Sequence, residues 1–198
     1  MTSESQLMHG SETAASDALL VREALHDRQL FWRRYERYVD AIYWYALPRT
    51  RSGATADDIV SETMLAAFEH LAAFDAGRGS FASWLFVIAR RKLIDHQRAH
   101  RRFWRYVRRN SPRMSSTGHD ELLTRIIWDE EIAVVYAAYE GLSSDDQDIL
   151  ALRYSAGLST QEIGAVLKIS DAAARQRLTR ARRRIASHMD REAEHERE

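Results

Sequence analysis

Apolar positions return at helical spacing through most of this chain, and the pattern predicts an all-α protein of successive amphipathic helices. From Leu25 to Leu47, Phe31, Tyr35, Tyr38, Val39, Ile42, Tyr43 and Ala46 form an aromatic stripe that Pro48 is expected to end. Thr55 is placed to cap a second helix, whose inward face is Ile59, Val60, Thr63, Met64, Ala67, Phe68 and Leu71. Its other face carries Asp57, Asp58, Glu62 and Glu69. Asp75 to Gly79 reads as a turn, after which Ser80 caps a third helix with Phe81, Trp84, Leu85, Ile88, Ala89, Leu93 and Ile94. That helix turns basic at Arg90, and the pattern fades through a stretch holding Pro112, Ser115, Ser116 and Gly118. A further helix is expected over 121–139, with Leu122, Ile126, Ile132, Val135 and Tyr136 inward.

The clearest chemistry lies between residues 142 and 189. Ile149, Leu150 and Leu152 mark one helix, punctuated by Gly157 and Leu158. Ser159 and Glu162 then stand at capping-box spacing, which predicts a short helix from Thr160 that buries Ile163, Val166 and Leu167. Lys168, Ile169 and Ser170 make a turn, and Ser170 caps a last helix with Ala174, Leu178, Ala181 and Ile185 on one buried stripe. The opposite face offers Arg175, Gln176, Thr179, Arg180, Arg182 and Arg183. Arginine and glutamine can each pair bidentately with base edges, and surplus arginines neutralise phosphates. A short capped helix, a turn and a basic helix in that order predict a helix-turn-helix that reads DNA.

The pattern divides the chain into a tail over 1–24, a helical domain over 25–102, a flexible linker over 103–120, a helix-turn-helix domain over 121–190 and a charged tail over 191–198. The fold class expected is two small helical domains, the second a winged-helix-like or four-helix unit. Two prolines and eight glycines in 198 residues agree with an all-α architecture. Formal net charge is zero, so the sign of the whole says nothing about nucleic acid. Its distribution says more: 90–109 and 175–184 are strongly basic, 120–148 strongly acidic. Blocks of opposite sign suit different partners, or two domains that attract each other when idle. The absence of cysteine excludes disulfides and cysteine-ligated zinc. No secretory signal or membrane-spanning run is visible, so a cytoplasmic protein without membrane insertion is expected.

Asp95, His96 and His100 place two imidazoles one helical turn apart, the spacing of a metal pair. A third ligand would have to come from His70 or Glu69, and the surrounding arginines oppose a dication, so no metal, no cofactor and no catalytic residue is expected. No phosphate loop, nucleophile elbow or paired-carboxylate arrangement is present.

Taken together, DDIVSETMLAAFEHLAAFD, GSFASWLFVIARRKLIDHQRAHRR and the 142–185 segment resemble, in order, the conserved segments of the extracytoplasmic-function sigma factors. These are the two-domain promoter-recognition subunits of bacterial RNA polymerase. The resemblance implies that Asp57, Asp58, Glu62 and Thr63 lie at the polymerase clamp contact. It implies that Arg91, Asp95 and Arg98, with Trp84 nearby, hold the melted nontemplate strand of the −10 element. The helical spacing of Trp84 with Phe81 and Ile88 favours a place in the core. Members often carry asparagine where this chain has Arg91, and a donor-only guanidinium reads different base edges, so an altered −10 preference is expected. For the −35 duplex the matching positions are Arg175, Gln176, Thr179 and Arg180, with Arg177 and Arg182 holding phosphates. The family's common hydroxyl at 176 and larger residue at 179 are missing, which leaves the −35 motif open.

The resemblance further implies core polymerase (clamp and flap) and promoter DNA, duplex and melted, as partners, with regulation by an anti-sigma protein. It implies a monomer when free and no enzymatic activity of its own. Phe103, Trp104, Arg105 and Tyr106 suit either stacking on single-stranded nucleic acid or packing as a helix extension on the first domain. The rival reading is a free-standing helix-turn-helix regulator that binds a palindrome as a dimer without polymerase.

Overall fold

The computed structural model describes residues 19, 21–25, 27–110 and 138–195, and every regular element among them is helical. The expected aromatic helix is two helices: α1 (Arg28–Tyr35), which Asp27 caps by accepting from the Gln29 amide at 2.8 Å, and α2 (Arg37–Thr50). Pro48 does not end α2; it sits inside the last turn. Side chains take the carbonyls of that turn: Arg49 donates to the Tyr45 carbonyl at 3.0 Å and Thr50 to that of Ala46 at 3.2 Å. The chain leaves through Arg51 in the left-handed region (φ 55°).

Helix α3 (Gly53–Glu69) starts earlier than Thr55 suggests, because Ser52 is the cap and accepts from the Thr55 amide at 3.2 Å. Two 3-10 turns, Leu71–Ala73 and Ala76–Arg78, lead into α4 (Phe81–Asn110). This helix runs on through 103–110, so the expected linker begins as its direct continuation. All but the last two residues of the helix expected over 121–139, and the rest of the linker, lie outside the described residues.

Phe31, Ile42, Tyr45, Ile59, Met64, Leu71, Phe81, Leu85, Phe86 and Leu93 fill the space between α1, α2, α3 and α4. Burying side chains of this size contributes about 1.5–3 kcal/mol each. Trp84 is half-buried, edge-on to Phe74 at 5.7 Å and tilted against Phe81 at 5.4 Å, which gives it a packing role. Thr63 is fully buried on the inner face of α3, and its hydroxyl finds no partner.

The second domain comprises α5 (Ser144–Tyr154), α6 (Thr160–Leu167) and α7 (Asp171–His195) around Leu142, Ile149, Leu152, Leu158, Ile163, Val166, Ala174, Leu178 and Ala181. The two domains touch: α6 packs against α4, and α2 against α5. No helix among the described residues is long and apolar enough to cross a membrane.

Candidate nucleic-acid interface

The helix-turn-helix is built by local side-chain bonds. Ser159 and Glu162 form the full capping box, with the Glu162 amide donating to Ser159 Oγ at 3.3 Å and the Ser159 amide to Glu162 Oε2 at 2.8 Å. Lys168 ends α6 in the left-handed region (φ 58°), and Ser170 caps α7 by accepting from the Ala173 amide at 3.2 Å. Thr160 Oγ1 donates to Asp171 at 2.6 Å and stitches the start of α6 to the start of α7. Gly164 carries the turn: a Cβ there would stand 2.8 Å from the Ile169 carbonyl oxygen, so α6 can approach the turn this closely only with glycine. Sequence pattern did not single this residue out.

With Ala174, Leu178 and Ala181 turned inward, Arg175, Gln176, Thr179, Arg180 and Arg182 are all exposed on α7. Asp171 holds the Arg175 guanidinium along the helix at 2.6 Å, and the Thr179 hydroxyl donates back to the Arg175 carbonyl at 3.0 Å. Arg177 is different: it turns onto Asp145 of α5 at 3.3 Å and is largely covered. Arg184 pairs with the buried Asp146. Arg177 and Arg184 hold α7 on α5, while Arg175, Gln176, Thr179, Arg180 and Arg182 form the outward face.

A second basic face lies on α4. Arg91, Asp95 and Arg98 are exposed and share one side, with Asp95 loosely between the two guanidinium groups at 3.9 and 3.8 Å. Lys92 reaches Glu62 of α3 at 3.3 Å, so one of the expected clamp carboxylates also ties α3 to α4. Asp57 and Asp58 are exposed in the second turn of α3; the first turn holds no acid, so the helix dipole, which fades within one turn, does not account for them. Thr63 lies beneath that acidic face and not on it. Of the histidine pair, His100 accepts a hydrogen bond from Trp104 Nε1 at 2.8 Å. Among the described residues no cluster of three or more potential ligands is positioned for a metal ion.

Between the domains sits a buried charge cluster. Asp148 of α5 pairs with Arg49 of α2, accepts from Arg90 Nε of α4 at 2.8 Å and accepts from the Tyr45 hydroxyl at 3.2 Å. Arg49 and Asp148 are almost wholly buried, their side chains 2% and 9% exposed, and the guanidinium lies 3.8 Å over the Tyr45 ring. Arg51 reaches Glu140 at 2.9 Å, and Ser80 donates to Glu162 of the capping box.

Two family models match: Sigma-70 region 2 over residues 34–103 and Sigma-70, region 4 over 132–185. The chain is 30% identical over 169 residues to the ECF RNA polymerase sigma factor SigL of Mycobacterium tuberculosis, covering 85% of this chain and 88% of that protein. The chain belongs to the extracytoplasmic-function sigma factors. As an alternative sigma factor it directs transcription initiation, and the free-standing regulator is not favoured. The ECF RNA polymerase sigma factor BldN of Streptomyces coelicolor is 28% identical over 180 residues, covering 89% of this chain and 66% of its own length.

The sigma factor also superimposes on CnrH in complex with the cytosolic domain of CnrY, with a TM-score of 0.65, 25% identity and coverage of 88% and 97%. The sigma factor RpoE of Bartonella quintana, in complex with the anti-sigma factor NepR, matches the fold with a TM-score of 0.63 at 18% identity, covering 81% and 96%. The region 2 match contains α2, α3 and the Arg91–Arg98 face; the region 4 match contains α5, α6 and the arginine face of α7.

Proposed function

We propose that this sigma factor binds core RNA polymerase through the acidic face of α3 (Asp57, Asp58 and Glu62), with its second domain at the flap. Arg91, Asp95 and Arg98 take the melted nontemplate strand of the −10 element. Arg175, Gln176, Thr179 and Arg180 read the −35 major groove, and Arg182 holds phosphate. The observation that carries this reading is the pair of outward arginine faces, one per domain, each on a helix whose other side is core. Strand capture offsets an unstacking cost of roughly a few kcal/mol per extruded base, so melting needs no catalytic residue. The relatives' complexes support control by an anti-sigma protein.

Geometry adds a requirement. Elements centred about 25 base pairs apart lie roughly 85 Å apart along duplex DNA at about 3.4 Å per step. In the free chain α6 packs directly on α4, and packed helix axes are only about 8–10 Å apart. The docked domains must therefore separate before one molecule can occupy both elements.

Purified protein added to core polymerase on a library of genomic fragments tests the reading. Discrete start sites sharing two spaced upstream elements, absent with core alone, are expected. Specific duplex binding without any transcript would overturn it in favour of a repressor.

A further inference from the structure

Helix α4 continues well past the residues proposed to hold the −10 strand, and its geometry there is regular. Arg91, Asp95, Arg98, Arg102 and Arg105 follow one another at three- and four-residue steps, and Tyr106 stands four residues past Arg102, so all six fall on one side of the helix. All six are exposed, Tyr106 by 69%. Beyond Asp95 the stripe holds no acid. From Arg91 to Arg105 it extends about 21 Å at about 1.5 Å per residue, the length of roughly six base pairs of duplex. Around the back of the helix, Trp104 donates to His100 and lies edge-on to Phe103 at 5.7 Å, which stiffens the extension without covering the stripe. Arg105 and Tyr106 lie outside both matched family regions.

We propose that this stripe is a further DNA-binding surface, and that Arg102 and Arg105 grip phosphates of the spacer duplex immediately upstream of the −10 element. The surface is continuous with the −10 face, its charge complements a phosphate backbone, and α4 comes before the −35-reading domain in the sequence. Duplex is favoured over single strand because the stripe is arginine with one ring, whereas a single-strand platform needs successive rings. The contact reads backbone position, not sequence.

This inference rests on the sigma reading above, and the test separates the two. Holoenzyme is assembled with wild type or with the Arg102→Ala, Arg105→Ala double variant. Binding is measured against salt on a full promoter and on a fork probe that ends at the upstream edge of the −10 element. The double variant should bind the full promoter about ten-fold more weakly, with a salt slope shallower by about 1.8. On the fork probe, variant and wild type should match. Equal loss on the fork probe would assign the stripe to the melted strand; weakened assembly with core would assign it to polymerase; unchanged binding would leave it no ligand. Each of these overturns the inference. Failure of wild type to initiate at any promoter would instead overturn the sigma reading.

The Asp148 cluster independently carries a second inference: we infer that it is a latch that keeps the free factor closed. Asp148 satisfies a buried Arg49, a partly buried Arg90 and a tyrosine hydroxyl, all belonging to the other domain. Removing one partner strands a buried charge, so the group is made or broken as a unit. The chain has no cysteine, so Ala54→Cys and Ala186→Cys, both exposed, accept a fluorophore pair. High transfer efficiency is expected in the free protein. Asp148→Asn should lower the closed-to-open ratio by roughly ten-fold or more, and Tyr45→Phe by less, with helicity unchanged. Low efficiency in wild type, or efficiency indifferent to both substitutions, would overturn the latch.

Discussion

A methyl group at position 164 would stand 2.8 Å from a backbone carbonyl oxygen that cannot swing aside. Alanine is the better helix former by about 0.5–1 kcal/mol, but overpacking costs typically 1–3, so the clash decides the sign. Gly164→Ala should lower unfolding stability by about 1–2 kcal/mol and weaken −35 binding, as read by denaturant titration and by promoter binding. On α7, Arg175→Ala and Arg180→Ala should each cost about 1–3 kcal/mol on the cognate −35 duplex and relax base preference at one position, as read by selection from a randomised −35 library. Arg177→Ala should instead act through the α5–α7 packing and show up in stability. The capping box at Ser159 and Glu162 was legible because both partners are local and of diagnostic type. Gly164 was not: its role depends on a backbone five residues on coming back over it. The inward turn of Arg177 was equally hidden, since helical spacing alone does not say which arginine an acid on α5 will claim.

At the scale of elements, the apolar period marks helices where one face has to be buried and says less about where each helix starts and stops. Pro48 reads as a stop because proline lacks an N–H, but in the last turn this forfeits only the bond to the Trp44 carbonyl, and α2 runs on to Thr50. Ser52 outcompeted Thr55 as the α3 cap, and Ser52→Ala should cost about 1 kcal/mol in thermal or denaturant unfolding. The pattern alone leaves 103–106 open between linker and helix extension, because an exposed arginine-rich helix shows no apolar period; the structure has the extension. Tyr139 supplies a pH test of the α5 junction. Its hydroxyl donates to the Gln147 carbonyl at 3.0 Å, and burial pushes its phenol above the ordinary tyrosine value, partly offset by Arg49. A raised acid favours the neutral form in the folded state, so its stabilisation is complete below the unfolded tyrosine value and is lost as pH rises through the folded one. Tyr139→Phe should flatten that alkaline decline in unfolding free energy.

At the scale of the whole molecule, two domains and their order could be read directly, because each closes its own core from nearby residues. The charge blocks hinted that the halves attract, but the join itself could not be read: Tyr45 and Asp148 are 103 residues apart in sequence. Nothing local marks Asp148 as the one acid of its helix that will face two arginines across the interface. The tether between the domains also changes how strongly any competitor must bind. Two surfaces on one chain meet at an effective concentration on the order of millimolar, set by the connection and not by the amount of protein present. A regulator that wedges between α4 and α6 therefore has to outbid a neighbour that never diffuses away. Affinities measured on either half alone would overstate its grip on the intact factor. A single proteolytic nick within 111–120 should tighten such a regulator's binding by orders of magnitude while leaving every one of its contacts in place, as titration of cut and uncut protein would read directly.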